Sequence, residues 1–205
     1  MDQQALAFEE AAKNRDMATL RSLLEAGVGV VPESERDGPS AIRAGQYIGL
    51  LAAAIVGDAD VTRLLLRAGA NPNVPDEFGQ TALFYAACKR HIGVVEELLK
   101  GKAKVDGWNV DGWTALMWAA ENGHVEVVSR LIAAGAPLDH QDQWGQTALM
   151  RAAHNGYANV VSILIGSGAD VSLVDQGQQT ARDRAVGFPE VVQVFEDAEV
   201  PTRHM

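Results

Sequence analysis

Residues 109–141, NVDGWTALMWAAENGHVEVVSRLIAAGAPLDHQ, contain the pattern that decides the fold. Thr114 stands where a helix N-cap belongs, directly before an apolar run. Gly123 and Gly135 are expected to end two successive helices, because a helix commonly closes on a residue with positive φ. His124 opens the turn between them. The apolar positions at helical spacing are Leu116, Ala119 and Ala120 in the first helix and Val127, Val128, Leu131 and Ile132 in the second. The stretch predicts two short helices joined by a tight turn.

The same pattern returns along the chain with a constant period. Thr81, Thr114, Thr147 and Thr180 are separated by 33 residues without drift, and an alanine follows each. The apolar pairs in phase with them are Ala86/Ala87, Ala119/Ala120 and Ala152/Ala153, then Val94/Val95, Val127/Val128 and Val160/Val161. A single helix pair cannot bury its own apolar face, so neighbouring copies are expected to stack on one another.

Three of these strings resemble the ankyrin repeat: DEFGQTALFYAA, NVDGWTALMWAAENGHVEVVSRLIAAGA and DQWGQTALMRAAHNGYANVVSILIGSGAD. The resemblance covers nearly the whole chain and rests on period, order and residue type together. It implies a mainly α fold, an ankyrin-repeat solenoid of stacked helix–turn–helix units with hairpin-like loops. It also implies a small stand-alone array that binds another protein.

The register divides the chain into seven segments within one expected domain, 1–200, followed by a tail at 201–205. The segments are an N-terminal cap repeat at 1–30, an inserted loop at 31–42, inner repeats at 43–75, 76–108, 109–141 and 142–174, and a C-terminal cap repeat at 175–200. Ile48 takes the threonine position in the repeat at 43–75. In the cap, Asp183 and Arg184 stand where inner copies are apolar or neutral, as a water-facing end requires.

The repeat at 76–108 lacks both closing glycines. Arg90 and Lys102 occupy those positions. A residue with a side chain at positive φ costs about 1 kcal/mol, so this repeat is expected to be locally the least stable.

Composition excludes several classes of partner. The formal net charge is −10, whereas nucleic acids and anionic membranes need a basic surface, so neither is expected. No apolar run approaches the length of a membrane span, and the first residues show no secretory signal. Cys88 is the only cysteine, which favours a reducing, cytoplasmic location. The acidic balance favours a partner with a basic face, and the chain alone is expected to be monomeric.

The ankyrin resemblance also implies where a partner would touch: a concave surface formed by the hairpin tips and the inner face of each first helix. The residues predicted to bind there are Phe78, Tyr85, Lys89, Trp108, Trp113, Trp118, Glu121, Asn122, Trp144, Arg151, His154 and Asn155. All four tryptophans are among them, and aromatic residues are typical of binding hot spots. Trp108 and Trp144 are expected at hairpin tips. Trp113 could equally cover the neighbouring hairpin, and Trp118 could also be partly buried between first helices.

No chemistry beyond binding is predicted. The histidines show no ligand spacing to other metal-binding residues, and the glycines are helix caps rather than a phosphate loop, so no catalytic, cofactor or metal site is expected. Within the binding class, an inhibitor, an immunity-type protein and a scaffold stay open. Two other functions also stay open: an enzyme or enzyme regulator that uses the loop at 29–45, and a self-associating structural array.

Overall fold

The computed structural model describes residues 3–28 and 41–199, and it gives side chains for 6–28 and 46–198. Over these ranges the fold is mainly α, with one isolated antiparallel bridge between Trp108 and Thr114. The helices are α1 Gln3–Lys13, α2 Met17–Glu25, α3 Ala41–Val56, α4 Ala59–Arg67, α5 Ala82–Cys88, α6 Ile92–Lys100, α7 Ala115–Glu121, α8 Val125–Ala133, α9 Ala148–His154, α10 Ala158–Gly166, α11 Ala181–Arg184 and α12 Pro189–Glu199. Three successive pairs, α5/α6 to α9/α10, combine a helix of 7 residues with one of 9. The predicted helix–turn–helix units are therefore confirmed.

The contacts divide the chain into two compact units, Met1–Lys104 and Val105–Met205. In the first unit α3 packs on α1, α4 and α5, and α4 packs on α2 and α6. In the second unit α9 packs on α7, α10 and α11, while α10 packs on α8 and α12. Each unit thus stacks first helices on first helices and second helices on second helices. The expectation of one domain over 1–200 stays a prediction.

Small residues fill the contact between neighbouring first helices. Ala119 and Ala120 of α7 and Ala152 and Ala153 of α9 have no accessible surface. Alanine allows two helix backbones to approach closely, which is why the pair recurs in every inner repeat with threonine at its start. The second helices contribute the bulk of the core, through Val127, Val128, Leu131, Val160, Val161 and Leu164, all fully buried.

The helix ends behave as the sequence predicts in most repeats. The hydroxyl oxygens of Thr114 and Thr147 each accept the amide hydrogen of the residue three positions later, at 3.2 Å. Thr81 also occupies an N-cap position, but its side chain makes no capping hydrogen bond. Arg90 and Lys102 adopt φ of 61° and 64°, so they do stand in for glycine.

The glycine that closes a first helix lies under an aromatic ring from the following repeat. A Cβ added to Gly57 would lie 2.6 Å from Nδ1 of His91, and one added to Gly123 would lie 2.6 Å from Cδ1 of Tyr157. Phe188 covers Gly156 in the same way. Glycine is therefore needed at these turns both for its positive φ and because the ring occupies the space of a side chain.

Three expectations about the ends of the array need correction. Helix α3 begins at Ala41, so residues 41 and 42 are not part of an inserted loop, and Ile48 lies inside a helix of 16 residues rather than at its N-cap. Residues 41–47 precede Ile48 in this helix, so it is longer than the first helices of 7 residues in α5, α7 and α9. The rest of the inserted loop, 31–40, lies outside the described residues, as do residues 29–40 of the loop at 29–45. Arg184 does not simply face water, because it is half-buried and pairs with the buried carboxylate of Asp175.

Candidate functional site

One polar residue organises the loop before each first helix. It recurs every 33 residues, at Asp76, Asn109, Asp142 and Asp175. Its Oδ1 accepts two amide hydrogens, from the residues two and four positions later, and this fixes the turn. The loops are therefore hairpin-like but held by side-chain hydrogen bonds rather than by paired strands. These four residues are absent from the predicted site, although their constant 33-residue spacing is visible in the sequence.

The second oxygen of each aspartate binds the side chain nine positions later, in the first helix. The Tyr85 hydroxyl donates to Oδ2 of Asp76 at 2.7 Å, and guanidinium groups donate to Asp142 and Asp175 from Arg151 and Arg184. Burial and this hydrogen bond raise the pKa of Tyr85 to about 12. Burial opposes ionisation of Asp175, but hydrogen bonds from Gln179, Arg184 and Gly177 outweigh it and lower the pKa of that carboxyl. Each loop is thus tied to its own helix.

In the second unit this link expands into a cluster, which we call the arginine cluster: Trp113, Trp118, Glu121, Asp142 and Arg151. The guanidinium carbon of Arg151 lies 3.6 Å from the centre of a Trp113 ring, within cation–π range. The rings of Trp113 and Trp118 lie 4.6 Å apart, and Glu121 is 3.5 Å from the guanidinium. Asp142 and Arg151 are almost fully withdrawn from solvent, with 0% and 11% of their side chains exposed.

The arginine cluster corrects part of the predicted binding surface. Trp113, Trp118, Glu121 and Arg151 are half-buried and contact one another, so these side chains mainly hold a hairpin against two first helices. The sequence leaves open whether Trp113 and Trp118 are structural, and the structure places both rings half-buried. Their rings are drawn inward because an arginine and two carboxylates from the same and the next repeat meet there.

Two tryptophans of the second unit do face solvent. Trp108 is 60% exposed, Trp144 is 45% exposed, and Val110 beside the first of them is 67% exposed. Trp144 lies in the hairpin turn, as predicted. Trp108 does not lie at a tip, because it pairs with Thr114 across the base of its loop and stacks on His140, with ring centres 5.2 Å apart.

Hydrogen bonds join the loops of successive repeats into one surface in this unit. The amide of Gln143 donates to the carbonyl of Asp111 at 3.2 Å, and the amide of Gln176 donates to the carbonyl of Trp144 at 3.0 Å. Side chains repeat these links, from Gln143 to the Asp111 carboxylate and from Gln176 to the Gln143 carbonyl. We call the exposed residues of this surface the hairpin face: Trp108, Val110, Asp111, Gln143, Trp144 and Gln176.

The remaining predicted residues of the second unit lie at the ends of first helices. Asn122 and Asn155 follow α7 and α9, and their side-chain amides donate to the carbonyls of Trp118 and Arg151. Asn122 and His154 are exposed, whereas Asn155 is half-buried.

In the first unit the three predicted residues are more separate. Phe78 is 54% exposed in the loop that Asp76 organises. Tyr85 is half-buried, and its hydroxyl donates to that same aspartate. Lys89 is exposed and caps the end of α5.

The charge of the chain is concentrated in the second unit. Residues 105–205 contain 13 carboxylate side chains, 5 arginines and no lysine, a net charge of −8 out of −10. The loop segments 105–114, 136–147 and 169–180 contain six aspartates and neither lysine nor arginine. Asp142 and Asp175 are buried in ion pairs, but Asp106, Asp111, Asp139 and Asp170 are exposed. The hairpin face is therefore both aromatic and surrounded by negative charge.

Reactive side chains are few in the described part of the chain. Burial raises the pKa of the Cys88 thiol, which keeps it protonated. Over residues 3–28 and 41–199, no three histidine, cysteine or carboxylate side chains come together in a way that could hold a metal ion. Nor does any helix of those ranges combine the length and apolar character needed to cross a bilayer.

Comparison with known proteins agrees with this geometry. Residues 50–142 and 128–201 match the family described as Ankyrin repeats (3 copies). A stretch of 57 residues is 44% identical to the phosphate system positive regulatory protein PHO81 of Saccharomyces cerevisiae. That stretch is 27% of this chain, and the match covers only 5% of the length of the yeast protein. Because the family match extends over well more than half of the chain, this protein belongs to the ankyrin repeat family.

Proposed function

We propose that this chain is a non-catalytic protein-binding module that uses the hairpin face and the exposed ends of α7 and α9 as its contact surface. Ankyrin repeats generally serve as protein–protein interaction modules. The observation that carries the proposal is the exposure of Trp108 and Trp144 on loops that hydrogen bonds hold in place.

A tryptophan that is exposed on a fixed surface of the isolated chain commonly marks a site that a partner covers. Each ring offers a large apolar area with little conformational entropy to lose, which makes tryptophan the residue type most enriched in hot spots. The arginine cluster supports the surface from below, since it fixes the loop that carries Trp113 and the helices next to it. A partner would therefore meet a preformed surface and would not have to order it first.

Asn122, His154 and Asn155 of the second unit extend the proposed contact area. Phe78 and Lys89 are the exposed candidates of the first unit, taken by itself. An inhibitor, an immunity-type protein and a scaffold all fit such a surface. A cytoplasmic location fits as well, because the single thiol, Cys88, leaves no disulfide to form within the chain.

The test is affinity capture from native lysate with the wild-type chain and the double variant Trp108→Ala, Trp144→Ala. We expect the proteins retained by the wild type to be lost, because each hot-spot tryptophan contributes at least about 2 kcal/mol, or roughly a thirtyfold loss of affinity. The far-ultraviolet circular dichroism should be unchanged, since both side chains are exposed.

Val186→Ala is the matched control. Val186 is 82% exposed but belongs to the loop between α11 and α12, away from the predicted residues. Capture should survive this change. If the tryptophan double variant retains the same partners as the wild type, the contact surface is elsewhere and the proposal is wrong.

A further inference from the structure

We infer that the partner presents cationic side chains, arginine above all, to the hairpin face, in an extended segment that crosses successive loops of the second unit. This inference rests on the proposed function and specifies the chemistry of the partner. Three observations carry it: the charge around the face, an open carboxylate within the face, and an arginine site that combines tryptophan with carboxylates in the same unit.

The charge around the face is of one sign. Neither lysine nor arginine occurs in the three loop segments, while four of their aspartates are exposed. A loop surface that only needed to be soluble would mix both signs. A low local dielectric beside exposed rings strengthens the attraction of such a surface for cations and speeds their association.

The carboxylate of Asp111 lies within the hairpin face and is only partly used. Its Oδ1 accepts a hydrogen bond from Nε2 of Gln143 at 3.2 Å. Its Oδ2 accepts none from the residues that the structure describes. The exposed Val110 adjoins it, and the exposed Trp144 occupies the equivalent position, 33 residues on, in the next loop. A guanidinium group could therefore bind the open oxygen and lie against apolar surface at once.

The arginine cluster shows that this combination already holds an arginine in the same unit. There the guanidinium of Arg151 lies on the face of Trp113 and contacts the carboxylates of Glu121 and Asp142. The hairpin face offers the same groups, tryptophan and carboxylate, with no cation of its own among the described residues of these loops. A partner's arginine would supply it.

The packing of the repeats sets the spacing of the partner's side chains. Packed helices lie about 8–10 Å apart, and an extended peptide advances about 3.3 Å per residue. Every third residue of an extended segment therefore reaches the next loop. A suitable probe is the capped peptide (Gly-Gly-Arg)₃, and its matched control contains citrulline, which has the same shape without the charge.

The readout is the set of four tryptophan indole N–H signals in a ¹⁵N-labelled full-length chain. We expect (Gly-Gly-Arg)₃ to shift the signals of Trp108 and Trp144 in a saturable way. The signals of the half-buried Trp113 and Trp118 should move much less and serve as internal controls. The citrulline peptide should shift none of them.

Two variants separate a local site from general attraction to an acidic protein. Asp111→Asn keeps the shape of the side chain and should raise the Kd of the arginine peptide about fivefold. Asp197→Asn removes the same charge from an exposed position in α12 and should leave the Kd almost unchanged. Equal effects of the two variants, equal binding of the citrulline peptide, or unshifted Trp108 and Trp144 signals would each overturn the inference.

Failure of this inference can be distinguished from failure of the proposed function. If the tryptophan double variant loses its captured partners but the arginine peptide does not bind, the hairpin face is the contact surface and its partner segment is not cationic. If capture is unaffected by the double variant, the proposed function itself fails.

Discussion

Replacement of Lys102 by glycine should stabilise the chain, which is unusual for a substitution that removes a whole side chain. Lys102 ends α6 with φ of 64° and is exposed. Its amide donates to the carbonyl of Leu99 at 3.1 Å, and the next amide, of Ala103, donates to the carbonyl of Leu98 at 2.9 Å. Both are main-chain bonds that a glycine would keep.

The magnitude follows from the equivalent positions in other repeats. Gly27, Gly135 and Gly168 have φ between 80° and 96°, and a Cβ added to any of them would meet nothing within 4 Å. The strain at Lys102 is therefore conformational rather than a steric clash. An L-residue in this region costs about 1–2 kcal/mol, and the greater freedom of glycine in the unfolded chain offsets about 0.5–1 kcal/mol of that. We expect a net gain of about 0.5–1 kcal/mol.

The assay is thermal and urea unfolding, with Lys102→Ala as the control for the lost charge. Lys102→Ala removes the same cation from the C-terminal end of α6 but keeps a Cβ, so it should be neutral or slightly destabilising. The glycine variant should melt about 2–4 °C higher than the alanine variant for each 1 kcal/mol of difference. Amide exchange in α6 should slow in the glycine variant if the gain is local. Equal stabilities of the two variants would refute the reasoning, because they differ only in the residue's tolerance of positive φ.

Two further predictions test the loop-to-helix links. Arg151→Ala should lower the free energy of unfolding by about 3 kcal/mol, because it leaves the buried carboxylate of Asp142 without its cation. Arg130→Ala breaks an exposed pair and should lower it by at most about 0.5 kcal/mol. Similar urea midpoints for the two variants would contradict the burial of the first pair. The pKa of Tyr85 is about 12 in the folded state, against an ordinary value of 10, so the folded state favours the neutral phenol. The stability that the neutral Tyr85 side chain contributes is complete below pH 10. It is lost as the pH rises from 10 to 12. Burial also raises the pKa of Tyr47, so the assignment comes from the variants. In an absorbance titration the tyrosine that ionises near pH 12 should disappear in Tyr85→Phe and titrate earlier in Asp76→Asn. An unchanged titration in Asp76→Asn would show that their hydrogen bond is absent.

Much of the fold could be predicted because the same short-range rules act in every repeat. Thr114 and Gly123 mark helix ends through hydrogen bonding and φ, and both signals are local in sequence. The extension of α3 back to Ala41 could not be predicted from the register, because residues 41–47 precede the threonine position and the first helices α5, α7 and α9 all begin directly after it. A repeat pattern predicts the helix bounds of copies that share the same residues, but it does not predict the bounds of a copy whose residues differ.

The candidate site was predictable in position but not in exposure. The register placed Trp113, Trp118 and Arg151 near one another, yet it could not show that an arginine would lie on one ring and draw both tryptophans inward. That outcome depends on Asp142, whose carboxylate binds Arg151 of the same repeat and so holds it beside the two tryptophans of the preceding repeat. Trp108 and Trp144 remain exposed, and no arginine or lysine among the described residues of the second unit stacks on either ring.

The rings that cover Gly57, Gly123 and Gly156 have a consequence for how such arrays can be recombined. The glycine belongs to one repeat and the ring, from His91, Tyr157 or Phe188, belongs to the next. A repeat that is duplicated, deleted or moved must therefore keep two contacts. Its own ring must still cover a glycine of the repeat before it, and its own glycine must still be covered by a ring of the repeat after it. The junction between repeats therefore has to be exchanged as a whole. A chimera spliced within α7, which lies between His91 and Gly123, keeps all three glycines with their rings and should fold better than one spliced within α9, which separates Gly123 from Tyr157.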